Sequence, residues 1–191
     1  RRRDFGMTAK STSHTKRIFM LGATGTIGRA ALRILVERGH EVVALIRKSP
    51  RDLPNLTGAE FRFGDITDAR SIAEDGFRGE QFDILLSCLA SRNGSAEDAW
   101  RIDHRAHIDA LTAAKAAGVG HVVLLSAICV QRPLLAFQHA KLAFEKALIE
   151  SGTPYSIVRP TAFFKSLSGQ VERVRNGKPF LLFGNGSLTA C

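Results

Sequence analysis

Lys141 stands four residues after Phe137 in the segment AFQHAKLAFEKALIESG (136–152), a spacing that sets both on one face of a helix. Ser126 closes the apolar run HVVLLSA (121–127) just upstream. A serine, a phenol and a lysine so arranged would act on a carbonyl: the phenol gives a proton to the oxygen, and the ammonium lowers the phenol's pKa. Here the phenol is missing. Phe137 has no proton to give, while Lys141 can still hold the ribose hydroxyls of a nicotinamide nucleotide. The plain alternative is a helix-surface lysine with its stem laid along the helix.

The strongest motif lies near the other end of the chain. LGATGTIG places Gly22, Gly25 and Gly28 directly after an apolar run and at the opening of a helical stretch. Glycines there permit a tight turn and let backbone amides approach a pyrophosphate at the positive helix end. Thr24, Thr26 and Ile27 complete the loop. The place of the motif within a strand–helix–strand unit of about 30 residues separates it from a glycine-rich turn without a ligand.

About 20 residues further on, an acid at the end of the second strand would take the adenosine 2′-hydroxyl of NAD. The sequence has LIRKSPR there, with Arg47 and Lys48 in the acid's place. A guanidinium pairs bidentately with a 2′-phosphate, so NADPH is the expected cofactor; a solvated charge pair is the alternative. FGDITD puts Asp65, Ile66 and Asp68 where an adenine ring would lie, although an Asp in a turn also bonds its own backbone. CLAS ends the fourth strand with Leu89, Ala90 and Ser91, small enough at Ala90 and Ser91 to leave room for a ribose.

Metal chemistry finds little support. His104 and His107 are three residues apart on a helix without a third ligand nearby and read as solvated. Cys88, Cys129 and Cys191 have no paired spacing for zinc or a disulfide framework, which fits a reducing compartment. Trp100, Phe163 and Phe164 are more readily core than site, though the last two follow a strand end and could line a flat aromatic pocket.

The elements that must position these groups alternate in kind. RIFML (17–21), EVVALI (41–46), EFRF (60–63), FDILLSCLA (82–90), HVVLLSA (121–127) and YSIVRP (155–160) read as strands covered on both faces. Between them run helices with apolar stripes at Ile27, Ala30, Ala31, Ile34 and Leu35; at Ala99, Ile102, Ala106, Ala110, Ala113 and Ala117; and at Phe137, Ala140, Phe144 and Leu148. The expected fold is therefore α/β, a doubly wound parallel sheet with helices on both faces.

The chain has 191 residues, 45% hydrophobic and 24% charged, with a net charge of +9. Five of those charges come from Arg1, Arg2, Arg3, Lys10, Lys16 and Arg17 against Asp4, which leaves too little on the body for a nucleic-acid surface. No apolar run approaches the roughly 18 residues of a membrane span. Residues 1–16 read as a disordered basic leader, residues 17–160 as the dinucleotide-binding domain, and 161–191 as the start of a smaller substrate-binding region.

Taken together, LGATGTIG, GHEVVALIR, FGDITD and the continuous FQHAKLAFEKALIESGTPYSIVRPTAFFKSLSGQVERVRNGKPFLLFGNGSLTAC resemble the divinyl chlorophyllide a 8-vinyl reductases, atypical short-chain dehydrogenases with a Rossmann sheet. The first motifs are shared with isoflavone-reductase-like and NmrA-like proteins; YSIVRPTAFFKSLSGQVERVRNGKPFLLFG is far more specific. The resemblance implies NADPH-dependent reduction of the C8 vinyl group of a chlorophyllide or protochlorophyllide to ethyl. It implies a tetrapyrrole substrate, a cytoplasmic place of action peripheral to photosynthetic membranes or else a chloroplast one, and a substrate domain continuing past Cys191. It also carries Pro160, Thr161, Ser126 and Lys141 over as cofactor-binding positions, Lys141 as the catalytic one, and Phe137, Phe163 and Phe164 as the substrate pocket. Two other readings stay open: a related oxidoreductase of another substrate, and an NADP(H)-binding regulatory or structural subunit without catalysis.

Overall fold

The computed structural model describes residues 15–47, 58–128, 130–161 and 168–180. Within them six strands form one parallel sheet: β1 (Arg17–Leu21), β2 (Glu41–Ile46), β3 (Ala59–Phe63), β4 (Ile84–Ser87), β5 (His121–Leu125) and β6 (Tyr155–Val158), in the order β3-β2-β1-β4-β5-β6. The order reverses direction between β1 and β4, and in such sheets ligands bind at that switch point, beyond the carboxyl ends of the strands. The expected α/β doubly wound sheet is thus the observed one.

The central strands owe their burial to alternation across the pleat. Phe19, Leu21, Val43 and Leu45 point to one face, where they join Phe77, Phe82, Leu111 and Phe144 in the larger core; Ile18, Met20, Val42, Ala44 and Ile46 point to the other, against Leu32. Phe19 stacks on Phe77 with ring centres 4.0 Å apart, and Phe82 meets both edge-on. The edge strands differ from the expectation of strands covered on both faces. In β3 only Arg62 is buried, and β6 has no fully buried residue, because each has a neighbouring strand on one side alone.

Helices α1 (Thr26–Glu37), α2 (Ala69–Ser71), α3 (Ala96–Ala99), α4 (Ala106–Ala116), α5 (Ala136–Glu150) and α6 (Ser168–Arg175) complete the fold, with π-helical stretches at Ile72–Phe77 and Trp100–Arg105. Two helix faces depart from their expected stripes. In α1 the buried residues are Gly28 and Leu32, with Ala31, Leu35 and Val36 partly covered, while Ala30 and Ile34 face outward. The close seat of Gly28 on the preceding loop centres the contact one residue later than Ile27. Along the other helix, the π-helical stretch inserts a wider turn. Ala99, Ile102, Ala106 and Ala110 are buried as expected, but Asp103, His107, Leu111 and Ala114 join them, and Ala113 and Ala117 are only partly covered.

Candidate functional site: a dinucleotide cleft

The loop between β1 and α1 is built around two glycines that the chain itself requires. Gly22 has φ +77°, and a Cβ there would lie 2.5 Å from the Cys88 carbonyl carbon. A Cβ on Gly28 would lie 2.0 Å from the Gly22 carbonyl oxygen, so the first turn of α1 can approach the loop only without a side chain. Gly25 differs: its Cβ would meet only the Gly22 oxygen, at an ordinary 3.4 Å. Gly25 is also the N-cap of α1, and no side chain caps that end. The amides of the first turn therefore present the positive end of the helix dipole to the space above the loop.

That space is a cavity of about 820 Å³. Gly22, Thr24, Gly25, Thr26, Ile27 and Gly28 form its floor; Arg47 at the end of β2 and Asp65 and Ile66 after β3 form one wall; Cys88, Leu89, Ala90 and Ser91 after β4 form the other. The sequence reading thus brings most of its cofactor residues into one cleft. The Asp65 carboxylate accepts hydrogen bonds from the Thr67 amide (2.8 Å) and hydroxyl (2.7 Å), which hold it below the usual carboxylate range, with Arg101 and Arg47 adding to the effect. Asp68 does not line the cleft; it caps α2 by accepting from the Arg70 amide.

Lys48, Phe163 and Phe164 lie outside the described residues. Phe137, half-buried at the start of α5, lies outside the cleft lining, as do Ser126, Lys141, Pro160 and Thr161. Ser126 is buried, and its hydroxyl has no hydrogen-bond partner among the described residues. Leu125, its neighbour, reaches the cleft wall.

Lys141 is not a surface lysine. Its ammonium lies 3.0 Å from Oδ1 of Asp103, with side chains 7% and 0% exposed. The other carboxylate oxygen of Asp103 accepts a 2.6 Å hydrogen bond from the Ser91 hydroxyl, so the buried pair is tied to the cleft wall. The lysine charge also reaches Cys88, where burial nevertheless pushes the thiol up to about 11.

The solvated reading of His107 is also overturned. The ring is 2% exposed, lies against Phe144 with ring centres 4.8 Å apart, and is bonded through Nε2 to the Ser87 hydroxyl (2.8 Å) and through Nδ1 to the Ile102 carbonyl (2.9 Å). A carbonyl only accepts, so Nδ1 carries the proton and Nε2 accepts from Ser87. Burial, reinforced by Lys141, lowers its pKa to about 4, so the ring is neutral. Among the described residues no group of three side chains could hold a metal. Thr67, Arg92, Asp98 and Arg101 also line the cleft without having been assigned to it from the sequence, and Asp103 and His107 lie buried behind its wall.

A parallel sheet reversing at β1 and β4, with a glycine loop and an open helix end at the reversal, defines a dinucleotide-binding protein. A sequence model of the NAD(P)H-binding family matches residues 22–187, and the chain belongs to that family. Among curated proteins it is 47% identical over 190 residues to the chloroplastic divinyl chlorophyllide a 8-vinyl-reductase of Oryza sativa subsp. indica, covering 91% of this chain and 46% of that protein. It is 45% identical over 198 residues to the protein of the same name from Cucumis sativus, covering 96% and 47%. The chain therefore spans about half the length of the curated relatives it matches. Among solved structures, the Bordetella bronchiseptica enzyme WbmH in complex with NAD+ aligns with a TM-score of 0.70 at 22% identity, over 86% of this chain and 64% of that one, a likeness of fold.

Proposed function

We propose that this chain is the cofactor-binding part of an NADPH-dependent reductase that converts the C8 vinyl group of divinyl chlorophyllide a or its protochlorophyllide to ethyl. The observation that carries the reading is the 47% identity to a named 8-vinyl-reductase across 91% of the chain. The cleft supports it independently. Its volume of about 820 Å³ suits a dinucleotide, and the uncapped end of α1 suits a pyrophosphate. Arg47 at the end of β2 suits a 2′-phosphate rather than a bare hydroxyl. NADPH bound there supplies a hydride.

The chain's own contribution is to bind and orient. The Gly25 turn holds the phosphates, Arg47 selects the phosphorylated ribose, and Ser91 and Leu125 shape the far end of the cleft beside the Lys141–Asp103 pair. Phe137 in place of a phenol fits this reaction. A carbonyl concentrates negative charge on one oxygen and needs a placed acid, whereas a vinyl group conjugated to a tetrapyrrole spreads charge over the macrocycle. Hydride addition at the outer vinyl carbon, followed by protonation from water or another acid, is the order we favour.

Relatives named as chloroplastic support the chloroplast as the place of action over the cytoplasm. Peripheral attachment to photosynthetic membranes is part of the proposal; among the described residues no helix is long and apolar enough to cross a membrane. The test is to incubate the natural protein that carries this chain with NADPH and divinyl chlorophyllide and follow pigment absorption. Loss of the conjugated vinyl moves the Soret band to shorter wavelength. An unmoved band with NADPH demonstrably bound would favour a regulatory or structural NADP(H)-binding subunit instead.

A further inference from the structure

Arg47 is not the only cation on the cleft. Arg101, within the π-helical stretch Trp100–Arg105, lines the same cavity. The two arrive from opposite sides of the sheet's switch point: Arg47 follows β2 and Arg101 follows β4, and these strands flank β1 on either side. Arg101 is anchored. Its Nη2 donates to Asp98 Oδ1 at 2.9 Å, while Oδ2 of that carboxylate accepts from the amides of Arg92 (2.9 Å) and Asn93 (3.3 Å). The Arg101 side chain remains 52% exposed, so one nitrogen is fixed and the rest of the guanidinium fork is open.

The anions nearby are already engaged. Asp98 holds Arg101 and the turn, and Asp65 is occupied by Thr67, so neither arginine is bonded to Asp65 although both exert a field on it. Arg47 lines the cleft, and Arg92 adds a third positive residue to the lining. A phosphate monoester carries about two negative charges near neutral pH, more than a single guanidinium neutralises. π-helical turns, though rare, are frequent at functional sites.

We propose that Arg101, anchored by Asp98, is the second cation for the adenosine 2′-phosphate, acting from the wall opposite Arg47 and contributing to the preference for NADPH over NADH. This rests on the reading of the cleft as an NADPH site. The experiment is calorimetric titration of NADPH, NADH, 2′,5′-ADP and AMP into the unmutated protein, Arg101→Gln and Arg101→Lys, with melting curves for each. Arg101→Gln should weaken NADPH and 2′,5′-ADP about tenfold while leaving NADH and AMP unchanged. Arg101→Lys, which keeps the charge without the fork, should recover part of that loss.

Equal weakening of NADPH and NADH would overturn the proposal, since Arg101 would then act on the part common to both. Unchanged affinities in Arg101→Gln, or Arg101→Lys no better than Arg101→Gln at equal melting temperature, would also overturn it. An unmutated protein that binds NADPH and NADH equally would remove the NADPH reading itself. A protein that prefers NADPH through Arg47 alone would remove only Arg101.

Discussion

Lys141 Nζ lies 3.0 Å from Asp103 Oδ1 in an ion pair almost sealed from solvent. Neither charge can be removed alone without leaving the other without its ion-pair partner. Lys141→Met should therefore cost about 3 to 5 kcal/mol of folding stability, and Lys141→Met combined with Asp103→Leu should recover most of it. Urea unfolding of the three proteins measures this. Single and double variants of equal stability would mean that the pair is not buried as described.

The glycine loop separates structural from ligand-facing glycines. Gly28→Ala places a Cβ 2.0 Å from the Gly22 carbonyl oxygen and should cost about 3 kcal/mol. Gly25→Ala meets that oxygen at 3.4 Å and should cost only about 1 kcal/mol. Its added methyl stands where the helix end opens to the cleft, so dinucleotide affinity should fall by much more than stability does. Melting curves beside cofactor titration check the pair; a Gly25→Ala protein with unchanged affinity would place the pyrophosphate elsewhere.

Arg47→Ala should lower the preference for NADPH over NADH, leaving the part that Arg101 supplies. Losing a charge-assisted pair with phosphate is worth about 1.5 to 3 kcal/mol, roughly ten- to a hundredfold in affinity. Fluorescence titration with both nucleotides is sufficient, and a preference undiminished by the substitution would assign the selectivity to other residues.

His107 gives the fold an acid-sensitive element. Its folded pKa of about 4 lies below the ordinary 6.5, so between those values the unfolded chain binds more protons than the folded one. Its contribution is complete above pH 6.5 and is lost as the pH falls toward 4, on the order of 3 kcal/mol in all. The carboxylates Asp65, Asp83, Asp98 and Glu80 also have lowered pKa values, and their loss belongs to more acidic solution. Urea midpoints between pH 4.5 and 7 should slope in the parent and flatten in His107→Gln; parallel slopes would show that the ring does not carry the effect.

The floor of the cleft was legible in the sequence because glycine reports a backbone requirement at its own position: Gly22 and Gly28 are where a Cβ cannot fit. Arg47 was legible because a strand end fixes where its side chain emerges. The back wall was not: Asp103 and His107 sit at helical spacing from the buried Ala99, Leu111 and Ala114, but polar side chains leave no mark in an apolar stripe. Lys141 and Glu145 hide in the same way: hydrophobic periodicity marks Ala140, Phe144 and Leu148, yet the two charges share that buried face because Asp103 and Arg159 arrive from other elements to pair with them.

The proposed reduction delivers the hydride of NADPH to the outer carbon of the C8 vinyl group. NADPH deuterated at its transferable position, incubated with the natural protein carrying this chain and divinyl chlorophyllide, should give a pigment with deuterium in the new C8 ethyl group, on its outer carbon. Mass spectrometry and proton NMR of the isolated pigment read this directly. Recovery of unreduced divinyl pigment, or of a reduced pigment without deuterium in that ethyl group, would contradict the account.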